Sequence, residues 1–196
     1  MYNNAGKVTM RITGGVARGQ QLKAPRNDLV RPTTDRVREA IFSILTSLTN
    51  NRSRGLDLFA GSGALGIEAL SRDTEWVDFV EQAPKCCAII KQNLQKLGFT
   101  QKSHVYCCSV AKALTFLEDK YDIIFMDPPY SDQSINQMAI QLANSGIISD
   151  ESLVIISHAS RSPLQDSYDG LSLIKEKHYG DTCISIYRKR APAKGG

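Results

Sequence analysis

The stretch "GLDLFAGSGALGIEALSR", residues 55–72, decides the fold. It opens as a short apolar strand, "GLDLFA", and continues as a helix, "GALGIEALSR". Between them Gly61, Gly63 and Gly66 match the pattern G-x-G-x-x-G. Glycines let a backbone turn sharply and approach a ligand without a Cβ clash. The helix that follows presents N–H groups with no intrahelical partner. A strand, a glycine turn and a helix in this order form the opening unit of a nucleotide-binding α/β sheet.

The same alternation continues downstream. "WVDFVE", "HVYCCS", "YDIIFMD" and "SLVIISH" read as strands. "PKCCAIIKQNLQKLG", "AKALTFLED" and "SINQMAIQLANSG" read as the helices between them, with Pro84 near one start and Gly98 and Gly146 past two ends. "LSLIKEKHYG" and "TCISIYRKR" lie too close together for a crossover and predict an antiparallel pair. Strands alternating with helices of about ten residues predict a doubly wound, mostly parallel sheet. Upstream, "RPTTDRVREAIFSILTSL" predicts a helix capped by Thr33 or Thr34, with Val37, Ile41, Leu45 and Leu48 along its buried face. "VTMRITGG" and "GQQLKAP" predict a basic hairpin turned at Gly14, Gly15 and Gly19. The expected organisation is a hairpin extension over residues 1–32, a catalytic domain over 33–190 and a disordered tail over 191–196.

The net charge of +4 conceals an asymmetry: residues 1–40 carry +5, residues 41–187 carry −5 and residues 188–196 carry +4. Basic ends on an acidic body suit a polyanion such as nucleic acid. No apolar run reaches the roughly 18–20 residues of a membrane span, and the N-terminus lacks a signal-peptide core. A cytoplasmic protein is expected. The five cysteines, Cys86, Cys87, Cys107, Cys108 and Cys183, show no C-x-x-C spacing, so they read as small core residues and no metal is expected.

Two further features narrow the chemistry. Glu81 ends the strand after the glycine loop, twenty residues beyond Gly61, where a carboxylate can accept from both hydroxyls of a ribose. Asp57, four residues before Gly61, opposes a pyrophosphate and suits a ligand with a positive amino group. A dinucleotide-dependent dehydrogenase therefore fits less well than an S-adenosylmethionine enzyme. The second feature is "DPPY", residues 127–130, at the end of an apolar strand. Proline removes N–H groups and fixes φ, leaving carbonyls without local donors. Asp127 and the Pro128 carbonyl offer two acceptors, and Tyr130 a flat ring. That set matches an exocyclic amine on a flipped nucleobase.

These residues resemble the class I, Rossmann-like methyltransferases that modify exocyclic amines. "RITGGVARGQQLKAP", "RPTTDRVREAIFSIL", "LDLFAGSGALGIEALSR", "DIIFMDPPY" and "YGDTCISIYRKR" resemble the RsmD family in particular, over about residues 8–190. That family comprises bacterial 16S rRNA (guanine-N2)-methyltransferases of the small ribosomal subunit. The resemblance implies an S-adenosylmethionine site built from Asp57, Phe59, Ala60, Gly61, Ser62, Gly63, Glu81 and Gln82, bordered by Thr34 and Arg36. It implies an amine site at Asp127, Pro128, Pro129 and Tyr130, and RNA contacts from Arg11, Arg18, Lys23 and Arg38. Where relatives often carry Asp or Asn after the third strand, to meet the adenine amino group, this chain has Ser109. The implied partner is 16S rRNA in the small subunit or an assembly intermediate, with the chain acting as a monomer, without metal or membrane. The alternatives are a DNA amino-methyltransferase and a non-catalytic RNA-binding protein.

Overall fold

The computed structural model describes residues 10–25, 34–129 and 135–189; Arg26, Thr33, Tyr130 and the tail lie outside them. Strands β1 (Met10–Arg11) and β2 (Gln21–Leu22) form the basic hairpin. Then follow α1 (Asp35–Leu48), β3 (Arg54–Leu58), α2 (Ala64–Ser71), β4 (Trp76–Glu81), α3 (Pro84–Leu97) and β5 (Ser103–Cys107). The second half contains α4 (Val110–Ala113), β6 (Tyr121–Met126), α5 (Ile135–Asn144), β7 (Ile148–Ala159), β8 (Ser167–Tyr168), β9 (Leu171–Tyr179) and β10 (Thr182–Lys189). Strands β3 to β10 make one sheet in the order β5-β4-β3-β6-β7-β10-β9-β8. The first five in that order are parallel and the last three antiparallel. The architecture is the α/β fold read from the sequence, with its C-terminal antiparallel pair.

The chain winds outward from β3 to β5, then returns to place β6 on the other side of β3. Such a reversal opens a crevice outside the carboxyl ends of the two strands that flank it. Both faces of the sheet are covered, which is why β6 is apolar from Ile123 to Met126. Ile123 and Phe125 face a core shared with Ile41, Phe42, Leu45 and Ile67, while Ile124 and Met126 face one shared with Val110, Ala139 and Leu142. On α1, Val37, Ile41 and Leu45 are buried, and Thr34 caps the helix by accepting the Val37 N–H at 3.3 Å.

The hairpin is fastened to the sheet's helices by buried polar bonds. Glu68 of α2, wholly buried, accepts the Thr13 and Gly14 N–H groups at 2.8 Å each and the Thr13 hydroxyl at 2.7 Å. Arg72 Nε donates to it at 2.8 Å, and Arg38 Nε lies 3.8 Å away. Ser71 Oγ accepts the Ala17 N–H at 2.9 Å and donates to the Gly14 carbonyl at 2.6 Å. Asn93 of α3 accepts from the Lys23 N–H at 2.9 Å and donates to the carbonyls of Lys23 and Ser62, both at 3.0 Å. The close approach explains Gly15: its φ is +76°, and a Cβ there would sit 1.6 Å from the Ser71 carbonyl oxygen.

Several expectations are corrected. Arg38 is wholly buried and pairs with Asp35 at 2.8 Å, with Glu68 and with the Arg11 carbonyl, so it braces the hairpin and offers RNA no charge. Helix α4 is a single turn, not the whole of "AKALTFLED", because the Thr115 N–H and hydroxyl both close on the Lys112 carbonyl. Strand β7 begins at Ile148, earlier than expected, because Ile148 pairs with Tyr121 ahead of an irregularity that precedes the Ile123–Leu153 pair and contains Glu151 at φ 67°. Leu48 is only partly buried, whereas Phe42 is buried, its ring 5.6 Å from that of Phe125 and tilted 45° to it. Of the cysteines, only Cys87 and Cys183 are buried; Cys107 is exposed.

Candidate active site

The loop after β3 and the segment after β6 meet at the crevice. Leu58 pairs with Val80 on one side and Met126 on the other, so residues 59–63, Glu81 and Asp127 leave the sheet at the same level. The loop is held from both flanks. The Ala60 N–H donates to the Val80 carbonyl at 3.1 Å, and the Asp127 N–H approaches the Leu58 carbonyl at 3.5 Å. Phe59 adopts φ 60°, a conformation rare outside glycine and often found at functional sites. Gly66 is required by packing: a Cβ there would lie 2.3 Å from the Phe79 ring.

Glu81 is half-buried, and its two oxygens accept the N–H groups of Gly61 at 2.9 Å and Ala83 at 2.8 Å. Each oxygen keeps a second lone pair for a donor in the crevice. Asp57 does not stand at the loop mouth as read from the sequence. It lies buried beneath the loop and accepts the Gly66 N–H at 2.9 Å. Burial pushes its carboxyl up to about 7, the Gly66 N–H works against that shift, and the charges of Asp127 and Glu81 add to it. Three carboxylates thus converge on the loop. Their field opposes a phosphate and favours a cationic ligand.

The remaining predicted residues are distributed around this centre. Pro128 is buried, Asp127 half-buried and Pro129 exposed; Tyr130 is outside the described residues. Gln82 is exposed beside Glu81. Ser62 is buried, donating its hydroxyl to Met10 Sδ at 3.3 Å. Ser109 is exposed and caps α4 by accepting the Lys112 N–H at 3.3 Å. Thr34 and Arg36 are exposed at the start of α1, and Arg11, Arg18 and Lys23 are exposed on the hairpin. Sequence reading missed Glu68 and Asn93. Both resemble solvated helix residues in sequence, and only their complete burial marks them as anchors.

A doubly wound sheet, a glycine loop at its switch point and a carboxylate-rich crevice without phosphate-compatible charge define a class I S-adenosylmethionine-dependent methyltransferase. Its cofactor is S-adenosylmethionine. The family model described as Conserved hypothetical protein 95 matches residues 10–188, and the chain belongs to that family, the RsmD family. Ribosomal RNA small subunit methyltransferase D of Escherichia coli K12 is 32% identical over 192 residues, covering 96% of this chain and 94% of that protein. The protein of the same name from Haemophilus influenzae is 32% identical over 188 residues, covering 93% and 95%. The solved structure of yhhF from Escherichia coli superimposes with a TM-score of 0.84 at 30% identity, over 94% of this chain and 100% of that one.

Proposed function

We propose that this protein transfers a methyl group to the exocyclic N2 of a guanine in 16S rRNA of the small ribosomal subunit. The observation that carries the reading is the convergence of the glycine loop, Glu81 and Asp127 on one crevice, fixed by the pairing of Leu58 with Val80 and Met126. The names of the relatives support ribosomal RNA as the substrate.

When bound, S-adenosylmethionine supplies a methyl group already activated by its sulfonium. The chain's part is position and electrostatics. Glu81 receives the ribose hydroxyls, the loop residues Phe59, Ala60, Gly61, Ser62 and Gly63 hold the methionine end, and Asp57 beneath them braces the loop and adds negative charge. Gln82, Ser109, Thr34 and Arg36 border the cofactor. Asp127 and the Pro128 carbonyl each accept one N–H of the guanine amine. That grip pulls the nitrogen toward tetrahedral geometry and aims its lone pair into the crevice. Asp127 is then placed to take the proton the amine loses. Pro129 stiffens the elbow, and Tyr130 stacks on the flipped base. Arg11, Arg18 and Lys23 hold the RNA backbone from the extension over residues 1–32, which serves the methyltransferase domain over 33–190.

Small subunits lacking the mark, incubated with the protein and labelled S-adenosylmethionine, should acquire label in 16S rRNA, and the labelled nucleoside should be N2-methylguanosine. Label at adenine N6 or cytosine N4, or on DNA alone, would overturn the assignment.

A further inference from the structure

Three adjacent strands carry His158, Cys183 and His178 in one row, because Cys183 of β10 pairs with His158 of β7 on one side and His178 of β9 on the other. Side chains paired across a sheet project to the same face. Two residues further along, Ser185 pairs with Glu176, so the same face also carries a carboxylate. One donor atom each from His158, Glu176 and Cys183 lies within 4.8 Å of the others. At the rim, His178 Nε2 is 3.0 Å from a Glu176 oxygen and 3.9 Å from Cys183 Sγ. Bonds of about 2.0–2.3 Å around a tetrahedral ion put neighbouring donors roughly 3.3–3.8 Å apart. The donors of His158, Glu176 and Cys183, within 4.8 Å of one another, lie wider than that, so an ion would draw them together.

The His158 ring is already oriented for coordination. Its Nδ1 lies 3.2 Å from the Ala159 carbonyl and 3.0 Å from that of Ser162. Carbonyls only accept, so Nδ1 carries the proton. The Ser185 hydroxyl stands between Nε2, 2.8 Å away, and Glu176, to which it donates at 3.1 Å, so an ion bound at Nε2 takes the place of that hydroxyl. A backbone carbonyl holding the far nitrogen is the usual support behind a metal-bound histidine. His158 and Cys183 are buried while Glu176 and His178 are exposed, which leaves an entry side for an ion.

We propose that His158, Cys183, Glu176 and His178 form a site for a zinc-class divalent cation. Two imidazoles and a thiolate select such an ion over the hard cations magnesium and calcium. On binding, the Cys183 thiol gives up its proton to solvent. The ion ties β7, β10 and β9 together, with His158 two residues beyond Ile156, which pairs with Met126, one residue before Asp127. With four protein donors its role is structural.

The test uses untagged, reduced, chelator-treated full-length protein titrated with Co²⁺ and then Zn²⁺. One equivalent of Co²⁺ per chain should produce a thiolate-to-metal charge-transfer band that Zn²⁺ abolishes, with release of one proton. The band should vanish in Cys183→Ser and survive in Cys107→Ser. Glu176→Gln and His178→Ala, both at the exposed rim, should keep the native circular dichroism and weaken Zn²⁺ binding by about tenfold or more. The proposal is overturned by the absence of a thiolate band, by its loss in Cys107→Ser and not in Cys183→Ser, or by rim variants that bind as the parent does.

Discussion

In the proposed site Asp57 serves two tasks. Its carboxylate braces the glycine loop through Gly66, and burial with two acidic neighbours holds its pKa at about 7. A cationic ligand favours the ionised form, so below pH 7 binding must also remove a proton. Cofactor affinity measured by calorimetry should therefore fall as pH drops below 7, by up to about tenfold per pH unit. In Asp57→Asn that dependence should disappear, and affinity above pH 7 should be lower than in the parent. A parent affinity that stays flat from pH 5 to 8 would contradict the assignment. In the proposed mechanism Asp127 serves chemistry and not cofactor binding. Asp127→Ala should abolish turnover in the methylation assay while leaving cofactor affinity within about tenfold. An equal loss of both would make Asp127 a structural residue.

At the scale of elements, the hairpin depends on α2 and α3 for its position. Glu68 neutralises buried Arg38 and half-buried Arg72 while satisfying backbone donors of the hairpin. Removing one partner of a buried charge pair leaves the other uncompensated, so Glu68→Ala should lower the unfolding free energy in urea by about 3–5 kcal/mol. Gly15→Ala forces both a left-handed φ and a clash with the Ser71 carbonyl. It should destabilise the hairpin selectively, seen as faster amide exchange over residues 10–25 with the sheet strands still protected. The elements that sequence periodicity located were those with a full apolar stripe, such as α1, α3 and β6. Helix α4 and the start of β7 were misplaced because their limits come from local hydrogen bonds and a strand irregularity, which leave no periodic mark.

At the scale of the whole molecule, charge segregates between a basic hairpin and an acidic body. If Arg11, Arg18 and Lys23 contact phosphates, replacing each with Ala should weaken RNA binding similarly for different sequences. Each should also reduce the slope of log affinity against log salt by about 0.7–0.9. An unchanged slope in all three variants would place the RNA on another surface. Arg38 makes the contrast: equally basic in sequence, it is spent internally and contributes nothing to such a surface.

The sequence by itself determined the order of strands and helices, the glycine loop, Glu81 and the Asp127 elbow. These signals are local, set by periodicity, by residues that free or fix φ, and by spacing along the chain. Tertiary structure alone decided that Asp57 lies beneath the loop, that Glu68, Arg38 and Asn93 hold the hairpin, and that His158, Cys183 and His178 share one row. Burial and cross-strand register join residues such as His158 and Cys183, Ser62 and Asn93, or Lys23 and Asn93, and no spacing rule carries that information.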